Sequence, residues 1–136
     1  MSQPLTRDSF ANLQPMEGPR SLPAPERLWS DSEWERIKFG LYAQTMEDKW
    51  DALVEGNHLF LHRSWTGRCT YEAEFTPCEG GWRITEAWLD SAQNDLLALH
   101  SAFVEVLITG SILREPDSAL WARFTELGGS RGLFSE

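Results

Sequence analysis

Lys49-Trp50-Asp51-Ala52-Leu53-Val54-Glu55-Gly56-Asn57-His58-Leu59-Phe60-Leu61-His62-Arg63-Ser64-Trp65-Thr66-Gly67, read on to Asp90, decides the fold. Its apolar residues recur every second position and its breaks are turn formers, the pattern of short half-buried strands. A first strand is predicted over 49–54, turned by Glu55-Gly56-Asn57. A second covers 58–65 and turns at Thr66-Gly67. A third covers 68–75 and closes at Thr76-Pro77-Cys78-Glu79-Gly80-Gly81, and a fourth runs over 82–89. Connections this short join antiparallel neighbours, so the expected sheet is a four-stranded meander.

On either side of this run the period is helical or absent. Ser30 and Glu33 form a capping box ahead of Trp34, Ile37 and Leu41, which predicts a helix over about 31–39 stopped by Gly40. Trp29, just before the cap, is placed to staple onto Trp34 or a neighbour. Beyond the strands, Asp90 or Ser91 caps a helix over about 92–113 whose stripe includes Leu96, Leu97, Phe103, Val104, Leu107 and Ile108. A last helix over about 118–127 presents Leu120, Trp121, Phe124 and Leu127. The fold class is therefore α+β, the meander being packed on one face by an N-terminal helix and two C-terminal helices. Residues 1–27 hold five of the seven prolines and no apolar period. They read as an extended Pro-rich arm, most simply a loose terminus, preceding a single domain over 28–136.

Composition bounds the function. A chain of 136 residues supplies one core. A net charge of −9 disfavours nucleic acid and anionic membrane and favours a basic protein partner. Neither a secretory leader nor a bilayer-length apolar run is visible, so the expected location is the cytoplasm. Cys69 and Cys78 lie too far apart along an extended strand to bridge, and two thiols complete no zinc set; no metal and no cofactor is implied.

Alternation assigns the faces. On the third strand Cys69, Tyr71, Ala73 and Phe75 oppose Thr70, Glu72 and Glu74; on the fourth, Trp82, Ile84, Glu86 and Trp88 oppose Arg83, Thr85, Ala87 and Leu89. His62-Arg63-Ser64-Trp65 is the leading candidate site. His62 exchanges a proton near neutral pH, and Glu72 or Glu74 on the next strand would orient it. Ser64 lies about 6.6 Å along the strand from His62, too far for a direct nucleophile–base bond. Arg63 needs a carboxylate such as Glu47, Asp48 or Glu86. The Glu47–Asp48 pair offers acid–base groups, though solvated turn surface is the plainer reading. His58 and His62, about 13 Å apart on a strand, do not make a metal pair. His100 sits beside the apolar helix stripe and reads as a satisfied, half-buried histidine. Gly128-Gly129-Ser130-Arg131-Gly132 follows a helix instead of opening one and is not a phosphate loop.

Met46-Glu47-Asp48-Lys49-Trp50 followed by Leu59-Phe60-Leu61-His62-Arg63-Ser64-Trp65-Thr66-Gly67 resembles the core of a group of small uncharacterised bacterial proteins, over about 46–75. In the group it resembles, similar segments sometimes accompany ADP-ribosylglycohydrolase-type domains. The resemblance implies a context of ADP-ribose signalling or toxin neutralisation and assigns no catalytic residue. The expected function is that of a small bacterial accessory or immunity-like protein. It would hold a protein or nucleotide-like ligand on the exposed sheet face around His62, Arg63, Trp65 and Glu72. One alternative is a small hydrolase of ADP-ribosyl or phosphoester bonds, with His62 as acid–base and Arg63 on the anion. Another is a homodimer that pairs its aromatic faces.

Overall fold

The computed structural model describes residues 4–10, 12–44, 48–90, 97–115 and 117–127. Four consecutive strands, β3 (Trp50–Glu55), β4 (His58–Arg63), β5 (Cys69–Cys78) and β6 (Gly81–Asp90), form the expected antiparallel meander. Two more strands precede them. β1 (Pro19–Leu22) and β2 (Leu28–Trp29) both pair antiparallel with β6, giving a six-stranded sheet with the main order β1-β6-β5-β4-β3. The expectation of four strands is corrected by the proline-rich segment. Pro19 opens β1 and Pro23 follows it, positions at an edge strand that need no ladder hydrogen bond from the imide. Leu22 between them is buried in the core.

Ser30 caps α1 (Asp31–Ile37) in the expected reciprocal box: its Oγ accepts from Glu33 N–H at 3.1 Å, and its own N–H donates to Glu33 Oε1 at 2.8 Å. Trp34 of α1 packs on Phe75 and Trp82, while Trp29 meets Phe75 edge-on. The second long helix, α2 (Leu97–Leu107), passes into a π turn over Ile108–Ile112, where the Thr109 hydroxyl donates to the Glu105 carbonyl. Of the two expected caps for this helix, Asp90 instead closes β6 and Ser91 lies outside the described residues. Phe103 of α2 packs on Trp50 and Tyr71 of the sheet, and on Phe124 of α3 (Ser118–Glu126). Residues 99–109 are buried on every side, so Glu105 needs a partner, and it accepts the Arg27 backbone N–H.

Two bulges alter the alternation. Leu61 faces Tyr71 but His62 faces Cys69, which leaves Thr70 as the extra residue of β5. Glu74 faces Glu86 but Phe75 faces Ile84, which leaves Thr85 as the extra residue of β6. Each bulge turns the chain over. Ile84 therefore joins Ala87 and Leu89 in the core face with Tyr71, Ala73 and Phe75, and Cys69 joins the opposite row. Both face assignments made from strict alternation are corrected there.

The opposite face is half covered by the arm. Leu5 N–H bonds to the Phe39 carbonyl, Gln14 bridges Arg68 in parallel, and Phe10 stacks on Tyr42. Between these anchors Arg7 makes a two-pronged pair with Glu55, at 2.9 and 3.1 Å, and lies 5.0 Å over the Phe60 ring. At the covered end Asp51, Leu53, His62 and Cys69 are all buried. Residues 4–10 and 12–14 form a strap laid across the sheet, where a loose terminus was expected.

Candidate functional site

The structure separates residues that the sequence placed together. His62 is 1% exposed; its Nδ1–H donates to the Gly67 carbonyl at 2.7 Å, and Nε2 has no hydrogen-bond partner. Burial is the main cause of a pKa held below the usual histidine value, so the ring is neutral at pH 7. Arg63, next along β4, points to the other side and lays its guanidinium 4.7 Å from the Trp50 ring. The expected cluster of His62, Arg63 and Glu72 is thus corrected, because neighbouring strand residues alternate and the strap seals one of them. Ser64 and Trp65 lie in the turn after β4. The Ser64 hydroxyl donates to the Asp48 carbonyl at 2.7 Å, and Trp65, 60% exposed, carries the Lys49 ammonium 4.4 Å over its ring. Asp48 accepts the Gln44 N–H at 2.8 Å. Glu47 and the glycine-rich stretch after α3 lie outside the described residues.

The histidine that meets Glu72 and Glu74 is His58. The two-residue turn Gly56-Asn57 sets His58 opposite Glu55 on one side, and the β4–β5 register sets it opposite Glu74 on the other. Its Nδ1 lies 2.5 Å from Glu72 Oε2 and its Nε2 3.7 Å from Glu74 Oε2. The imidazole stacks nearly parallel on Trp88, at 5.9 Å and 11°, with Phe60 at 6.3 Å on the same strand. Glu72 faces Trp88 across the β5–β6 ladder, and Glu74 faces Glu86. The uncovered half of the face is therefore the His58–Trp88 stack, bordered by the carboxylates of Glu72, Glu74 and Glu86, and it adjoins Phe60 and Glu55, which Arg7 of the strap occupies.

This arrangement attracts cations. Arg7, stacked on Phe60 and paired with Glu55, shows how a guanidinium sits there: its plane on a ring and its N–H fork on a carboxylate. The polar partners of His58 are the two carboxylates, and no serine or cysteine among the described residues stands beside it as a nucleophile. Nor do the described residues bring three metal-ligating side chains together. Two hollows open elsewhere. One of about 80 Å³ is lined by Lys49, Arg63, Trp65 and Thr66, and one of about 140 Å³ by Phe10, Asn12, Tyr42, Ala43, Asp51 and Ser64. Both are smaller than the roughly 300 Å³ at which organic-ligand clefts begin.

No family model, no curated protein and no solved structure matches the chain. His58, Phe60, Trp88, Glu55, Glu86 and Arg7 are residues the sequence reading did not select. The signal for His58 was the short turn at Gly56-Asn57, which fixes the pairing once both strands are granted. Nothing in the sequence signals the strap over His62.

Proposed function

We propose that the protein is a binding module, accessory or immunity-like, that holds a basic segment of a partner protein against the uncovered half of its sheet. The observation that carries this reading is the His58–Trp88 stack edged by Glu72, Glu74 and Glu86, beside the place where Arg7 already sits on Phe60 and Glu55. Flat aromatic surface with carboxylates at its margin suits arginine and lysine side chains, and the net charge of −9 draws such a partner in. A phosphate-bearing ligand would meet the carboxylates of Glu72, Glu74 and Glu86 on this face, which weighs against the nucleotide-like class. The hydrolase alternative has less support, since His62 is buried and Arg63 lies on the other side of the sheet.

Fluorescence anisotropy tests the reading with labelled Arg/Lys-rich peptides, an acidic peptide and ADP-ribose as probes. Saturable binding of the basic peptides is expected, weakened about tenfold when Glu72, Glu74 and Glu86 are changed together to glutamine. It should also weaken as salt rises. Saturable binding of ADP-ribose in preference to the basic peptides, or peptide affinity unchanged in the glutamine variant, contradicts it. Light scattering on the unliganded protein separates the homodimer alternative, which would occupy the same face.

A further inference from the structure

The hollow lined by Phe10, Asn12, Tyr42, Ala43, Asp51 and Ser64 is bordered by a nearly buried acid that has no cationic side chain of the described residues paired with it. Asp51 is 6% exposed, and its one hydrogen bond is the Ala43 N–H on Oδ1 at 2.8 Å. Among the described residues no lysine or arginine pairs with it. Burial holds its carboxyl above the usual value, outweighing the Ala43 hydrogen bond and His62, its cross-strand partner on β4, while Asp48 adds a like charge. A carboxylate removed from water is expected to be paired or fully hydrogen-bonded. Here the second oxygen has no hydrogen-bond partner among the described residues and meets solvent at the opening the residue borders.

The walls supply what a cation would need. Phe10 from the strap stacks on Tyr42 at 5.3 Å and 20°, a flat aromatic side wall of which Tyr42 is half exposed to solvent. Asn12 and Ser64 place an amide and a hydroxyl on the lining. At about 140 Å³ the space holds roughly four or five water-sized groups, room for a single terminal ammonium and its adjoining methylenes.

We infer that this hollow is a receptor for one protonated primary amine, with Asp51 as the counter-ion, the Phe10–Tyr42 stack against the alkyl stem, and Ser64 and Asn12 completing the hydrogen bonds. The amine has two sources, a free alkylamine or a lysine side chain of a polypeptide. The site uses none of the residues of the aromatic–carboxylate row, so it stands or falls separately from the reading above.

The test is titration of the full chain, followed by NMR, with n-butylammonium, N-acetyl-lysine amide and a lysine-containing peptide, using n-pentanol as the neutral isostere. Saturable binding of the amines in the millimolar range, without binding of pentanol, is expected. Asp51→Asn should lose at least tenfold in affinity and Tyr42→Ala several-fold. Binding of the lysine compounds without the free amine identifies the side chain as the source; binding of all three identifies the ammonium alone as sufficient. The inference is overturned if no amine saturates below about 10 mM, if pentanol binds equally well, or if Asp51→Asn binds within twofold of the parent. Should Asp51→Asn fail to fold, Tyr42→Ala and Ser64→Ala decide, and unchanged affinity in both overturns it.

Discussion

His58 and His62 share one strand and one face yet live in opposite conditions: His62 is buried beneath the strap, and His58 lies at its margin, opposite the Glu55 that Arg7 pairs with. His58 is open and held by carboxylates; His62 is sealed and neutral. The sealing has a pH consequence. A histidine whose folded pKa is depressed contributes no difference well above 6.5, the ordinary value of a free histidine, where both states are neutral. Below 6.5 the unfolded chain takes up a proton that the fold resists, so stability falls as pH drops. His100, likewise depressed by burial, acts in the same direction. Asp51 and Glu105 are raised by burial and act oppositely, favouring the fold as pH falls. The His62 share is isolated by comparison: urea denaturation between pH 7 and 5 should give a shallower stability slope for His62→Gln, by up to about 1.4 kcal/mol per pH unit. Equal slopes would show that the ring is not sealed. Gly67 is the companion residue. Its φ of +76° and the 1.8 Å approach that a Cβ would make to the Asn12 carbonyl leave no room for a side chain. Gly67→Ala should cost about 2 kcal/mol or more by denaturation, with the strap displaced.

The strap accounts for most of what the sequence hid. It has no hydrophobic period, and its anchors are single contacts to distant residues: Leu5 to Phe39, Arg7 to Glu55, Gln14 to Gly67. Local pattern cannot register these. The meander was legible because turn chemistry and period-two alternation act within a few residues, and the α1 cap was legible because Ser30 and Glu33 bond each other. The two bulges were not, since Thr70 and Thr85 look like ordinary strand residues; they misassigned Cys69 and Ile84. Within the site, Glu72 and Glu74 were legible as an exposed row and His58 was not chosen over His62. The element also makes a prediction. Burial pushes the Cys69 thiol up to about 12, whereas Cys78 is exposed. Cys78 should therefore react quickly with a thiol reagent and Cys69 slowly. Deleting residues 1–14 should speed Cys69 at least tenfold and leave Cys78 unchanged, with circular dichroism confirming the sheet. A Cys69 rate indifferent to the deletion would remove the strap as its cover.

At the scale of the molecule, charge and shape agree. The core side of the sheet is filled by Trp34, Phe103 and their neighbours, the far side is half closed by the strap, and what is left open is aromatic and acidic. The net charge of −9 makes that opening an attractor for cationic surfaces at a distance, an effect that salt should weaken. The most direct test is to map where a basic peptide lands. In ¹⁵N-labelled protein titrated with an arginine-rich peptide, the largest shift changes should fall on His58, Phe60, Glu72, Glu74, Glu86 and Trp88. Changes confined to Lys49, Arg63 and Trp65, or no saturable change anywhere, would contradict the assignment of this face.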